Sequence, residues 1–340
     1  MVTHHDFQTV NALKQDTNFS GSILVQQHEK TLFYADHGYA NRAECIPNHR
    51  ETKYGIASGC KWFTAIAICM LVERGELTFE TKIKKYLDKD VPHVSDDITV
   101  HHLLTHTSGI ADYFDEDEMD DFEELWVTNP MYRLRTIESF LPLFIDQPMK
   151  HPVGERFHYN NAGYILLGWL IEQISKKPFA EFVQEEIFAK VGMNNSGYFE
   201  LDRLPPSTAS GYIDLPDGGY KTNIYSVPVK GGADGGAYVT VDDVAKIWFK
   251  VMQEELLSKS MTEKLLKIHV QGDEDDYGYG VWIHQGEKEI VRYHLMGYDP
   301  GVSFHTAYYP ENETVVVVCS NQSEGAYEIM EAIEDAIGKR

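Results

Sequence analysis

The order of apolar segments along the chain constrains its fold more than any other feature. Near the start, Gly21-Ser-Ile-Leu-Val-Gln and Thr31-Leu-Phe-Tyr-Ala read as two strands joined by a turn at His28-Glu-Lys. Strands return only late, at Gly280 to His284, Glu289 to His294, Ser303 to Tyr309 and Thr314 to Ser320. Between these groups the pattern is helical. Ser58 to Gly75 is the strongest helix, with Phe63, Ala67, Met70, Leu71 and Arg74 near helical spacing and Gly75 as its stop. Gly163 to Ser175 is a second apolar helix, and Ala326 to Ile337 a final amphipathic one. A short helix is expected over 8–15, mainly helical structure with acidic loops over 80–200, and an irregular excursion over 205–230. The expected class is therefore α+β: an antiparallel sheet built from both chain ends and flanked by helices, with an inserted, mainly helical lobe. Residues 1–80 and 231–340 would form the sheet domain and 81–230 the lobe, with a small-molecule site in the cleft between them.

Charge narrows the class of function. The chain has 30 Lys+Arg against 53 Asp+Glu, a net charge of −23, and no basic cluster. Nucleic acid is excluded as a partner, because displacing counterions from phosphate needs a basic face. Anionic membrane surfaces are disfavoured for the same reason. The longest apolar runs, Trp62 to Val72 and Val315 to Cys319, fall short of the roughly 20 residues that span a bilayer. No basic stretch followed by an apolar run opens the sequence, and Cys45, Cys60, Cys69 and Cys319 show no CxxC or metal-finger spacing. These features lead to the expectation of a cytoplasmic protein with free thiols. Asp115 to Glu124 reads as a solvated acidic face, and His101, His102 and His106 as structural histidines, so neither metal nor cofactor is expected.

Ser58-Gly-Cys-Lys61 opens the strongest helix. Residues i and i+3 share a helical face, so the hydroxyl and the amine can meet. Unpaired N–H groups and the dipole at a helix N-terminus favour negative charge on the serine oxygen. A neutral amine beside a hydroxyl can take its proton and so make a nucleophile. The tetrapeptide alone fits an N-cap and a surface charge equally well. Farther on, Tyr159 and Asn161 are one residue apart, so in an extended loop they point the same way. A phenol beside an ammonium is pushed toward phenolate and can relay protons, and an asparagine offers a substrate amide both an acceptor and donors. A third region, Tyr293 to Ser303, reads as a strand ending in a Gly-rich turn, and a glycine in such a strand, Gly297, lets a ligand approach the backbone.

With these three clusters in this order, the chain resembles the penicillin-recognising serine enzymes, most closely class C β-lactamases, their esterase relatives and low-molecular-mass penicillin-binding proteins. Phe19 to Val25, Tyr54 to Ala65, Leu103 to Ile110, Tyr164 to Gly168 and Gly231 to Tyr238 resemble further landmarks, so the likeness covers about residues 18–325. The resemblance implies an acyl-enzyme route. Ser58 would attack a carbonyl, and Lys61 with Tyr159 would move the proton to the leaving group. The backbone N–H groups of Ser58 and Tyr298 would form the oxyanion hole, and Asn161 would orient the acyl side chain.

The third motif departs from that pattern, in which a Lys or His stands two residues before the glycine and reaches a substrate carboxylate. Anchoring on Gly297 puts Leu295 at the cation position, whereas admitting His294 requires a one-residue bulge. The Gly297 register is preferred because Asp299-Pro-Gly301 then sits where the similar turn would sit. Without the cation, a carboxylate-bearing substrate loses a charge-assisted hydrogen bond of roughly 1.5–3 kcal/mol. The expectation is a serine hydrolase acting on a small ester, amide or D-amino-acid peptide, with weak or no β-lactamase activity. The alternative is a catalytically retired protein that binds penicillin or a peptidoglycan fragment.

Overall fold

The computed structural model describes residues 7–10, 19–28, 30–87, 91–119, 121–287 and 289–338. Most of the expected helix over 8–15, and Glu29 of the expected turn, lie outside them. The centre is a seven-stranded antiparallel sheet of β1 (Gly21–Gln27), β2 (Lys30–His37), β3 (Asp276–Tyr277), β4 (Trp282–Gln285), β5 (Ile290–Asp299), β6 (Val302–Tyr309) and β7 (Thr314–Ser320), in the order β2-β1-β7-β6-β5-β4-β3. The two chain ends meet in the register Gly21↔Ser320 and Leu24↔Val317.

The sequence of β7 explains its central place. Thr-Val-Val-Val-Val-Cys-Ser is buried throughout, as a strand covered on both faces requires. Alternation then divides its side chains between two cores. Val315, Val317 and Cys319 join the larger cluster, while Val316 and Val318 join a smaller one with Ile23 and Val25. The smaller core is closed by α4 (Ala326–Ile337) through Ile329, Met330 and Ile333. The larger is covered by α1 (Lys61–Glu73), α2 (Asn161–Ser175) and α3 (Val241–Met252), and it takes in residues of the middle segment such as Leu103, Phe140 and Phe182. Trp62 of α1 packs against Trp248 of α3, with ring centroids 4.2 Å apart.

Helix α1 is buried from Lys61 to Leu71 and apolar on every side except for that lysine and Thr64, whose hydroxyl donates to Ala233 O at 2.5 Å. A helix apolar all round belongs in the interior, so Lys61 is carried there by its neighbours. The expected Ser58–Gly75 helix is in fact a 3₁₀ turn, Ala57–Cys60, running into α1. Strand β5 runs through Gly297 to Asp299, so that glycine lies inside the strand. The middle of the chain holds short helices, including Val100–Leu104 and Glu124–Thr128. The excursion at 205–230 contains a small hairpin, Tyr212–Asp214 with Tyr220–Thr222. Among the described residues no helix is long and apolar enough to cross a membrane.

Candidate active site

Ser58 sits in the turn that feeds α1. Ala57 before it has a left-handed φ of 43°, a conformation that costs a non-glycine residue on the order of 1–3 kcal/mol and recurs at functional sites. Neighbouring backbone holds the turn: Ile56 N–H donates to Ala237 O at 3.0 Å, and Gly236 N–H to Ala57 O at 3.2 Å.

Three acceptors surround the Lys61 amine. Its Nζ donates to Ser58 Oγ at 2.9 Å, Asn161 Oδ1 at 2.7 Å and the backbone oxygen of Asp234 at 2.8 Å. Asn161 begins α2 and is fixed at its other end, where Nδ2 donates to Asp112 Oδ2 and Phe114 O, both at 3.2 Å. Asp112 also accepts the backbone N–H groups of Asn161 and Ala162, at 2.6 and 2.9 Å, which satisfies orphan donors at the start of α2. Both N–H groups of the Asn161 amide are thus taken up by the protein, and its oxygen holds Lys61. The sequence reading offered those groups to a substrate amide; in the free protein they position the lysine.

Tyr159 lies beside this cluster, with Lys61 Nζ 4.8 Å from its ring centroid. His106 stacks on it at 4.5 Å. His106 Nδ1 accepts the Asn160 N–H at 2.9 Å, so the ring proton is on Nε2, which faces the Tyr277 hydroxyl at 3.1 Å. Burial first, and then the Lys61 charge, hold His106 well below the usual histidine range, keeping it neutral. The expectation that a nearby ammonium would drive Tyr159 toward phenolate is overturned. Burial, reinforced by the charge of Glu116, pushes its pKa well above 10, while hydrogen bonding with Ser58 pulls only partly the other way. Tyr159 is a neutral phenol.

The third motif is settled by strand alternation. Pairing of β5 with β6 runs without a slip from Tyr293↔Tyr308 to Asp299↔Val302, so no bulge brings His294 round. Its Nε2 meets Asp275 Oδ2 at 3.0 Å. It shares its strand face with Arg292, which pairs with Glu334 of α4. Leu295 points the other way, into the larger core. Neither residue lines the cavity beside Ser58. Gly297 shares the Leu295 face and presses against the Ala57–Cys60 turn. A Cβ there would stand 2.2 Å from Ile56 O and 2.9 Å from Ser58 N, so only glycine permits the approach. The next residue, Tyr298, lines the cavity, and its hydroxyl meets His305 Nε2 at 2.5 Å.

That cavity opens to solvent beside Ser58 and Asn161, with about 760 Å³ of space outside the atoms when the open mouth is included. Much of its wall is apolar, including Phe114, Phe122, Phe199 and Val229. The whole chain matches the family described as Beta-lactamase, over residues 8–338. The chain belongs to the beta-lactamase family. Within related sequences it is 28% identical to penicillin-binding protein 4* of Bacillus subtilis, over 94% of this chain and 71% of that one. The crystal structure of a penicillin-binding protein from Bacillus halodurans superimposes with a TM-score of 0.92 at 55% identity, covering 96% of this chain and 99% of that one. A D-amino acid amidase from Ochrobactrum anthropi shares the fold, with a TM-score of 0.82 at 18% identity, over 98% of each chain.

Several residues of the site carry no obvious mark in the sequence. Asp234 lies in the glycine-rich landmark Gly231 to Tyr238, and the Tyr113 hydroxyl donates to its carboxylate. Asp112, Tyr113 and His106 reach the site only through contacts between distant segments. Asp115, Asp117 and His158 could together hold a metal ion, but the Lys150 ammonium already sits on Asp115. Cys45, Cys60, Cys69 and Cys319 are all free thiols.

Proposed function

We infer that this family member is a serine hydrolase that works through an acyl-enzyme on Ser58. Its substrates are esters, amides or D-amino-acid peptides, and it acts weakly or not at all on carboxylate-bearing β-lactams. The observation that carries this reading is the 2.9 Å hydrogen bond between Lys61 Nζ and Ser58 Oγ at the edge of an open, largely apolar cavity. Lys61 reacts in its neutral form, in which Asn161 Oδ1 and Asp234 O keep its two N–H groups and its lone pair faces Ser58 Oγ; as Oγ attacks the carbonyl, the serine proton passes to that lone pair. Tyr159, a neutral phenol, donates to the leaving group and is reprotonated from Lys61. The N–H groups of Ser58 and Tyr298 receive the developing oxyanion. Water then cleaves the acyl ester. A retired binding protein would have no need to keep an amine hydrogen-bonded to the serine and held by two further acceptors.

The substrate limit follows from charge. Among the described residues no Lys, Arg or His lines the cavity, while Glu116, Asp234 and Asp299 do. A turnover screen with a chromogenic cephalosporin, short-chain nitrophenyl esters and D-alanine peptides tests the reading. Ester or peptide turnover well above cephalosporin turnover is expected, and it should vanish in Ser58→Ala. Efficient cephalosporin hydrolysis would contradict the substrate limit, and undiminished turnover in Ser58→Ala the mechanism.

A further inference from the structure

The cavity beside Ser58 has an electrostatic character that acyl transfer by itself does not require. Three of its lining residues, Glu116, Asp234 and Asp299, are carboxylates. Among the described residues, no salt bridge reaches any of them. Lys150 pairs with Asp115 and Glu118 and passes over Glu116 between them. Asp234 accepts the Tyr113 hydroxyl, which moderates its charge without cancelling it. Among the described residues, none gives Asp299 a side-chain hydrogen bond or a salt bridge. After burial, its strongest influence is repulsion from Asp234, with Glu116 adding to it and Lys61 opposing; together these lift its pKa to about 7. Enclosing like charges is costly unless a counter-charge arrives. Among the described residues, the cation that acts on Asp299 is Lys61, which is engaged with Ser58, Asn161 and the Asp234 backbone. The missing cation is then one that the ligand brings.

We propose that the acyl group delivered to Ser58 carries a primary ammonium, seated among Asp299, Asp234 and Glu116, with its apolar or aromatic side group against Phe114, Phe122 and Val229. The substrate class is an amino-acid ester, amide or peptide with a free amino terminus. This rests on the reading of Ser58 as the acyl acceptor. In the reaction the Ser58 Oγ–acyl bond forms and the bond from the carbonyl carbon to the leaving oxygen or nitrogen breaks. The serine proton ends on the leaving group. Water then splits the ester to the free acid and restores the hydroxyl, and the ammonium is unchanged throughout.

Two measurements test the proposal, one of which needs no turnover. Calorimetry with 2-phenylethylamine, 2-phenylethanol and 3-phenylpropionate compares cation, neutral and anion on one ring. The amine is expected to bind about tenfold or more tighter than the alcohol, as a charge-assisted hydrogen bond allows, and the propionate weakest. The amine-to-alcohol ratio should fall toward one in Asp299→Asn. Glu116→Gln, at the exposed rim, should lower it as well and serves if the first variant folds poorly. Equal binding of amine and alcohol, or tighter binding of the propionate, overturns the proposal. The second measurement compares kcat/KM for phenylalanine methyl ester, in each enantiomer, with that for methyl 3-phenylpropionate. A preference of about tenfold or more for at least one amino ester is expected. If both kinds of ester acylate Ser58 equally well, the hydrolase reading stands and the ammonium site falls. If no ester acylates Ser58, the hydrolase reading falls and the calorimetry still decides the ammonium site.

Discussion

Lys61 is the residue on which the site turns, because a buried amine with three acceptors organises everything around it. Lys61→Met keeps much of the volume but removes the donor from Ser58, Asn161 and Asp234 at once. Turnover of a nitrophenyl ester is expected to fall by about 10²–10⁴, the usual worth of a proton-transfer group. The thermal midpoint should fall too, since buried acceptors lose their partner. His106 acts at one remove, as the ring beneath Tyr159. It holds a left-handed φ of 56°, which asparagine tolerates better than most residues. His106→Asn is therefore expected to fold, by circular dichroism, while kcat falls about tenfold with KM little changed, as the phenol loses its support. Ser58, Lys61 and Tyr159 were legible because their residue types and spacing are local. His106, Asp112 and Asp234 were not, because each reaches the site by a contact across the chain: His106 bonds Asn160, and Asp234 lies 173 residues from the lysine it holds. Tyr159 was misjudged in charge because burial, which a sequence does not display, outweighs a neighbouring ammonium.

At the scale of elements, the proposed oxyanion hole depends on the close approach of β5 to the Ala57–Cys60 turn. Gly297→Ala would set a methyl 2.2 Å from Ile56 O, and backbone rather than a flexible side chain would have to yield. A loss of about 10²–10³ in kcat/KM is expected, the scale of one lost oxyanion donor, with the far-ultraviolet circular dichroism retained. Wild-type activity in that variant would mean that the close approach is not needed. The elements with clean periods were readable: β7 as an apolar run, and α4 as an amphipathic helix over the same residues in sequence and structure, Ala326–Ile337. The short helices before α2, such as Val100–Leu104 and Glu124–Thr128, were not, because each spans only a turn or so and has too few residues to show a period. The register of β5 was open in the sequence because a bulge is invisible there; unbroken pairing with β6 excludes one.

Over the whole molecule, the net charge of −23 and a cavity of like charges tie stability to pH. Asp112 and Asp299 are each held at about 7, against an ordinary value of 3.8, chiefly by burial. A carboxyl with a raised folded pKa binds its proton more tightly in the native state than in the unfolded chain. Its stabilising effect is present in acid and is lost as pH rises from about 4 to about 7. Asp234, Glu116 and Lys61 face Asp299 electrostatically, and the Tyr238 and Tyr113 phenols feel its charge. Asp299→Asn is accordingly expected to raise the melting temperature at pH 8, on the order of 2 °C, and to leave it nearly unchanged at pH 4. Acylation of Ser58 is the most direct test of the whole account. Intact-protein mass spectrometry after brief exposure to an activated amino-acid ester, with the adduct located by peptide mapping, reads it in one experiment. The account requires a single acyl group on Ser58 in the native protein and none in Ser58→Ala or Lys61→Met. An adduct that persists in those variants, or no adduct from any acyl donor in the native protein, would contradict it.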